Sequence, residues 1–162
     1  MIVRHSEISD LQGIKSIYEQ LHTSLNTLQL PFQSAALWEN RLKNSSDNNI
    51  SLVAVIDNEI AGQLSFIVCD RPRRKHAANF GMGVSEKHLR KGVGIKLLSA
   101  AIDIADNWLN VTRIELEVYV DNEPAIKLYE KLGFEIEGTS KNYAFKNGTY
   151  VDAFFMARIK PN

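Results

Sequence analysis

The stretch Val84-Ser85-Glu86-Lys87-His88-Leu89-Arg90-Lys91-Gly92-Val93-Gly94 decides how the chain reads. Before it, Ala77 to Val84 is β-prone. After it, Ile95, Leu97, Leu98, Ala101, Ile102, Ala105 and Leu109 recur at helical spacing, so the stretch turns a strand into a long amphipathic helix. Two spaced glycines let backbone N–H groups converge without Cβ obstruction, and the helix N-terminus adds partial positive charge beside Arg90 and Lys91. Such a turn is an anion cradle suited to a pyrophosphate. Known nucleotide loops do not fit it. A P-loop needs Gly-Lys-Ser/Thr where Gly94-Ile95-Lys96 stands, and a dinucleotide GxGxxG needs glycine at Leu97. A GxG turn also serves chain reversal alone, so a ligand role depends on what lies nearby.

Next along the chain, Arg113 to Val120 reads as a buried strand, followed by Asn122-Glu123-Pro124-Ala125-Ile126-Lys127-Leu128-Tyr129-Glu130-Lys131-Leu132-Gly133-Phe134. Asn122 caps a helix running through Leu132, Pro124 fits its first turn and Gly133 stops it. Tyr129 lies two turns beyond Asn122 on the same face, so a polar cap and a phenol share one groove. Capping by Asn122 and packing of Tyr129 on Ile126 and Leu132 would account for each residue alone. Lys146-Asn147-Gly148 then turns the strand beginning at Phe134 back into Thr149 to Ile159.

Toward the N-terminus, Ile50–Ile56 and Glu59–Cys69 form a hairpin about Asp57-Asn58, and Asp70 to His76 reads as a solvated loop carrying Arg71, Arg73, Arg74 and Lys75. Ile2 and Val3 start a strand. Ser9 and Gln12 make a capping box ahead of the stripe Leu11, Ile14, Ile17, Tyr18 and Leu21. A loop from His22 to Gln33 leads to Ser34, which caps a helix bearing Leu37, Trp38, Arg41 and Leu42 and ending in the Asn44–Asn49 cluster. The order β-α-α-β-β-β-α-β-α-β-β is an α/β fold: a mixed sheet with helices on both faces. At 162 residues and 44% hydrophobic, with no internal repeat, the chain is expected to be one domain over 1–162.

Lys+Arg and Asp+Glu both number 19, so the drive toward nucleic acid or an anionic membrane is missing, and no apolar run approaches the ~18 residues of a membrane span. A single cysteine, Cys69, excludes an internal disulfide and fits a cytoplasmic compartment. His5, His22, His76 and His88 lack metal-ligand spacing, so no metal is expected.

Taken together, Val84-x₄-Leu89-Arg90-Lys91-Gly92-Val93-Gly94 and Asn122-x₂-Ala125-x₃-Tyr129-x₂-Leu132-Gly133-Phe134 resemble the GCN5-related N-acetyltransferases (GNAT), whose element order the chain also matches. The tail Glu137-Gly138 through Gly148-Thr149-Tyr150-Val151-Asp152 and Met156 is similar to the branch acting on ribosomal-protein N-termini and polyamines. Nearly the whole chain, including Asn26-Thr27-Leu28-Gln29, Arg71-Pro72-Arg73-Arg74, Asp106-Asn107-Trp108-Leu109 and Arg113-Ile114-Glu115-Leu116, resembles the YhhY-type L-amino-acid N-acetyltransferases. The resemblance implies acetyl-CoA as cofactor, with Met82, Gly83 and Val84 bonding the pantetheine arm, and Leu89, Arg90, Lys91, Gly92, Val93 and Gly94 holding the pyrophosphate. It further implies that Asn122 contacts the cofactor and that Tyr129 protonates the departing thiolate. Leu89 departs from the Gln or Arg usual at its position, a change that backbone-mediated binding tolerates.

Glu115, alternating with Glu117 on one face of its strand, is the candidate general base, with a structural carboxylate as the other reading. Asn79 can hold a water but cannot act as base. Asn26, Leu28 and Phe32, with Asn79, are candidate acceptor contacts, and Trp38 a candidate pocket wall. The loop from His22 to Gln33 has no Asp or Glu, which disfavours a polycation there. The acceptor that the resemblance implies, and with which this loop agrees, is the α-amine of a small molecule such as phenylalanine or methionine. Acetylation of protein N-termini or polyamines, and a non-catalytic acyl-CoA sensor, are the alternatives. The resemblance also implies homodimers paired through the last strands.

Overall fold

The computed structural model describes residues 1–44 and 46–161. Ser45, within the cluster expected to end the second helix, lies outside the described residues, as does Asn162. The strands are β1 (Ile2–His5), β2 (Asn49–Ile56), β3 (Glu59–Val68), β4 (Ala77–Val84), β5 (Arg113–Tyr119), β6 (Glu135–Lys146) and β7 (Thr149–Ile159). The helices are α1 (Leu11–Glu19), α2 (Leu21–Leu25), α3 (Ala35–Lys43), α4 (Val93–Asn107) and α5 (Glu123–Lys131). One seven-stranded sheet has the order β1-β2-β3-β4-β5-β7-β6, antiparallel throughout except for the parallel pair β4 and β5. The mixed sheet is thus present, and so is the predicted order of elements apart from one additional short helix, α2, before β2.

Alternation along β2 assigns the two faces. Leu52 and Ala54 point into the main core with Leu64, Phe66, Leu97, Leu98, Ile114 and Met156 under α4, against which α5 packs Leu128 and Tyr129. Val53 points the other way, into a second core with Ile14, Tyr18 and Trp38 from α1 and α3. Turns follow their local chemistry: Asp57 and Asn58 both take positive φ, 50° and 61°, as a two-residue hairpin requires, and Gly133 ends α5 at φ 86°.

Two local readings are corrected. The segment from His22 to Gln33 is not loop throughout, because α2 occupies its start; a five-residue helix has too little length for periodicity to reveal. The predicted box of Ser9 and Gln12 is replaced by Glu7 and Asp10: the Glu7 amide donates to Asp10 Oδ2 at 2.8 Å. Arg4, brought alongside by β1, donates to both oxygens of the buried Asp10 carboxylate at 2.7 and 2.8 Å, and this tertiary pair decides which residue caps.

Candidate active site

Strands β4 and β5 are ladder partners for three residue pairs only, Ala77 with Arg113, Ala78 with Ile114 and Asn79 with Glu115. Beyond these, Phe80–Val84 stays bonded to β3 while Leu116–Tyr119 follows β7. The sheet therefore opens into a V, leaving the β5-facing edge of Phe80–Val84 without a strand partner among the described residues. An extended ligand carrying amide groups can add to such an edge as a strand would. This is the edge that holds Met82, Gly83 and Val84.

The glycine turn lies where the V meets α4. Gly92 adopts φ 78° and caps the helix, which begins at Val93, two residues earlier than the helix expected after Gly94. The Lys96 amide donates to the Gly92 carbonyl at 3.0 Å, so the amides of Val93, Gly94 and Ile95 have no acceptor within the helix. They form the anion-binding end of a fifteen-residue helix. The two glycines do separate jobs. A Cβ at Gly92 would meet nothing within 4 Å, so the left-handed backbone is what needs glycine there; a Cβ at Gly94 would lie 2.9 Å from Leu128 Cδ1 and 3.3 Å from Met82 Cε. Gly94 thus lets α4 approach α5 and β4. Arg90 also takes positive φ, 61°, and Leu89 is exposed.

Across the V, Asn122 accepts from the Ala125 amide at 3.4 Å and so caps α5 as predicted. The Tyr129 ring packs in T-shaped contact on Phe80, with centroids 5.7 Å apart, and tilted against Phe134 at 5.9 Å. Its hydroxyl has no hydrogen-bond partner among the described residues. Burial pushes the phenol up to about 12, so Tyr129 carries its proton at neutral pH.

A cavity of about 990 Å³ opens from the V beneath α1 and α3. Tyr129, Phe80, Gly81, Met82 and Leu116 line its inner end; Tyr18, Trp38, Asn26, Leu28, Glu117 and Tyr143 line its walls. A Cβ at Gly81 would meet nothing within 4 Å, which marks open space beside β4. The floor is polar and internally bonded: Tyr18 donates to Gln63 Oε1 at 2.6 Å, Gln63 Nε2 to Ser51 Oγ at 3.0 Å, and Ser65 Oγ to Asn49 Oδ1 at 2.8 Å. Tyr119 ties the far wall to the segment after α2 by donating to the Thr27 carbonyl at 3.2 Å.

Of the predicted acceptor contacts, Asn26 and Leu28 line this cavity, whereas Asn79 and Phe32 do not. Asn79 is exposed on β4 between Ile67 and Glu115, and Phe32 is 96% exposed. Glu115 also stands outside the lining. Arg74 donates to both of its oxygens at 2.7 Å, and Arg113 Nε bonds it too, so the expected solvated loop contributes an ion pair through Arg74. Burial raises the Glu115 carboxyl, yet Arg113 and Arg74 outweigh burial and hold it below the usual carboxylate range. Two carboxylates do line the cavity: Glu7, in the cap that precedes α1, and Glu117 on β5, which forms no ion pair among the described residues. Alternation put Glu115 and Glu117 on one face; choosing between them required knowing where Arg74 falls. Cys69 is half-buried just past β3, and no cluster of three or more His, Cys, Asp or Glu among the described residues is placed to hold a metal. No helix among them is long and apolar enough to cross a membrane.

The Acetyltransferase (GNAT) family matches residues 14–134. The chain is 48% identical over 160 residues to an L-amino acid N-acetyltransferase, AaaT, of Escherichia coli K12, covering 99% of this chain and 98% of that protein. It is 30% identical over 158 residues to the spermidine N(1)-acetyltransferase of the same organism, covering 95% of this chain and 83% of that one. Among solved structures, a GNAT superfamily phosphinothricin acetyltransferase from Sinorhizobium meliloti, in complex with AcCoA, superposes with a TM-score of 0.88 at 24% identity, covering 98% of this chain and 88% of that chain. The strand order, the V between β4 and β5 and these matches agree: the chain belongs to the acetyltransferase (GNAT) family and is an N-acetyltransferase.

Proposed function

We propose that the protein transfers the acetyl group of acetyl-CoA to the α-amine of a free L-amino acid, phenylalanine or methionine being representative, with both substrates bound together. The observation that carries this reading is the V itself, with a protonated, unpartnered phenol on one wall, a carboxylate on the other and a half-apolar cavity behind them. The 48% identical relative acts on L-amino acids by name, which supports the same acceptor class here.

Acetyl-CoA supplies the thioester whose acyl carbon the amine attacks. In this reading the β4 edge from Met82 to Val84 bonds the pantetheine amides, and the amides at the start of α4, with the turn from Leu89 to Gly94, face the pyrophosphate. Asn122 fixes the start of α5 and thereby the position of Tyr129. Tyr129 gives its proton to the sulfur as the C–S bond breaks. A phenol at about 12 can do so because the dry surroundings that raise it also raise the departing thiolate, keeping donor and acceptor matched. Glu117, rather than the doubly paired Glu115, is positioned to take the amine's proton, directly or through a water. The demand on it is small: an α-amine of pKa ~7.8 is more than about a tenth neutral at pH 7, whereas a lysine-like amine is well below a thousandth neutral.

The same reading makes residues 1–162 one catalytic domain working in the cytoplasm, with copies paired through the last strands, β6 and β7, of which β6 forms the edge of the sheet. Thiol release measured with acetyl-CoA and a panel of L-amino acids, spermidine and an alanine-terminated peptide tests the acceptor class. Phenylalanine and methionine are expected to show the highest kcat/KM. A higher value for spermidine or the peptide would overturn the acceptor, and no thiol release with any amine would overturn catalysis.

A further inference from the structure

A free amino acid brings a carboxylate as well as an amine, and a cationic side chain with a planar fork is the strongest single partner a cavity can offer that anion. Among the described cavity-lining residues the lysine and arginine side chains reduce to one, Arg41 on α3. Its surroundings hold the guanidinium in place without neutralising it. Arg41 Nη1 donates to Gln29 Oε1 at 2.8 Å and to Gln33 Oε1 at 3.2 Å, and the guanidinium carbon lies 4.7 Å from the centre of the Trp38 ring. Trp38, only 6% exposed, is itself stacked on Tyr18 with centroids 4.9 Å apart. Both hydrogen-bond partners are neutral amide oxygens, and Arg41 makes no ion pair among the described residues. This contrasts with Arg4, Arg74, Arg113 and Arg158, each paired with a carboxylate.

Arg41 is also tied to the inner end of the cavity. Gln29, which holds it, is two residues from Thr27, whose carbonyl accepts from Tyr119 of β5. The segment Asn26–Gln29 thus joins the Arg41 side of the cavity to the β5 wall, where Glu117 lies one face-position before Tyr119, and all of these residues line the same cavity. A positioned planar fork with Nε and Nη2 uncommitted suits a carboxylate, and Glu117 across the cavity suits an ammonium.

We propose that Arg41 is the specificity-determining residue that binds the acceptor's carboxylate. The proposal rests on the amino-acid reading of the site and names the contact that would make the enzyme prefer an amino acid to a plain amine. Arg41 is exposed at the cavity rim and packs on Trp38 from outside, so its replacement leaves the buried Tyr18–Trp38 stack in place.

The test compares L-phenylalanine with L-phenylalaninamide, which keeps the amine and ring and removes the anion. Wild-type enzyme is expected to favour the acid. Arg41→Gln should raise KM for phenylalanine about 10- to 100-fold, leave kcat within about threefold and leave the amide almost unaffected, so the preference collapses. Arg41→Lys, which restores a charge but not the fork, should recover part of it. Melting curves on both variants separate misfolding from lost recognition. An unchanged acid-to-amide ratio in folded Arg41→Gln would overturn the assignment while leaving the amino-acid reading intact. Failure of the wild type to acetylate any amino acid would overturn that reading, and this proposal with it.

Discussion

Replacing Gly94 with alanine sets a methyl group 2.9 Å from Leu128 Cδ1 and 3.3 Å from Met82 Cε, both under the separations that real Cβ contacts favour. Both neighbours are the free ends of flexible side chains, so the seam between α4, α5 and β4 can give way, and the cost falls at the low end of overpacking, about 1–2 kcal/mol. For a chain of 162 residues that is a fall in melting temperature of about 2–8 °C. Gly92→Ala costs a similar ~1–2 kcal/mol for another reason: its methyl touches nothing within 4 Å, but an L-residue at φ 78° is strained. The two causes are separable with Leu128→Ala, which deletes the Cδ1 atom. In a urea-denaturation cycle, Leu128→Ala should recover about 1 kcal/mol of the Gly94→Ala loss and none of the Gly92→Ala loss. Calorimetry should show the larger loss of CoA affinity in Gly92→Ala, because that residue shapes the turn. A Gly94→Ala protein as stable as wild type, or a Gly92→Ala loss relieved by Leu128→Ala, would refute this division of roles.

Glu117→Gln should lower kcat at neutral pH with an α-amine acceptor, and the deficit should shrink above pH ~8 as the amine loses its proton unaided; a deficit constant from pH 6 to 9 counts against Glu117 as proton acceptor. Glu115→Gln should act on stability instead, because Arg113 and Arg74 hold the folded carboxyl below its unfolded value. That contribution is complete above the unfolded pKa of ~4.3 and disappears as pH falls through the folded value, so urea midpoints of wild type and variant should converge in acid. Asp10, held low chiefly by Arg4, obeys the same sign: its contribution is complete above ~3.9 and lost below. Arg4→Ala should cost about 1–3 kcal/mol by leaving a 6% exposed carboxylate unpaired, read as a shift in urea midpoint near pH 7.

The elements that could be read along the chain carry their signals locally. Asp57-Asn58, Asn147-Gly148 and Gly133 sit at positive φ, Asn122 caps α5, and α4 shows a full-length apolar stripe, so each is specified within a few residues of itself. What escaped sequence reasoning depends on partners distant in sequence. Arg74 reaches Glu115 across 41 positions and leaves Glu117 as the β5 carboxylate that lines the cavity. Arg4 from β1 takes Asp10 and moves the cap away from Ser9. Tyr18 sits in the helical stripe that reads as core, yet its hydroxyl reaches Gln63 on β3 and joins the cavity floor. Periodicity reports which face a residue occupies; it does not report which neighbour meets it there.

The central claim is that Tyr129 donates the proton to sulfur, and Tyr129→Phe tests it most directly, since the ring that packs on Phe80 and Phe134 is kept and one hydroxyl is removed. Measured with phenylalanine as acceptor, kcat should fall by roughly 10²–10⁴ while calorimetric affinity for acetyl-CoA and the melting temperature stay close to wild type. Full kcat in this variant across pH 6 to 9 would contradict the assignment and leave water as the proton donor.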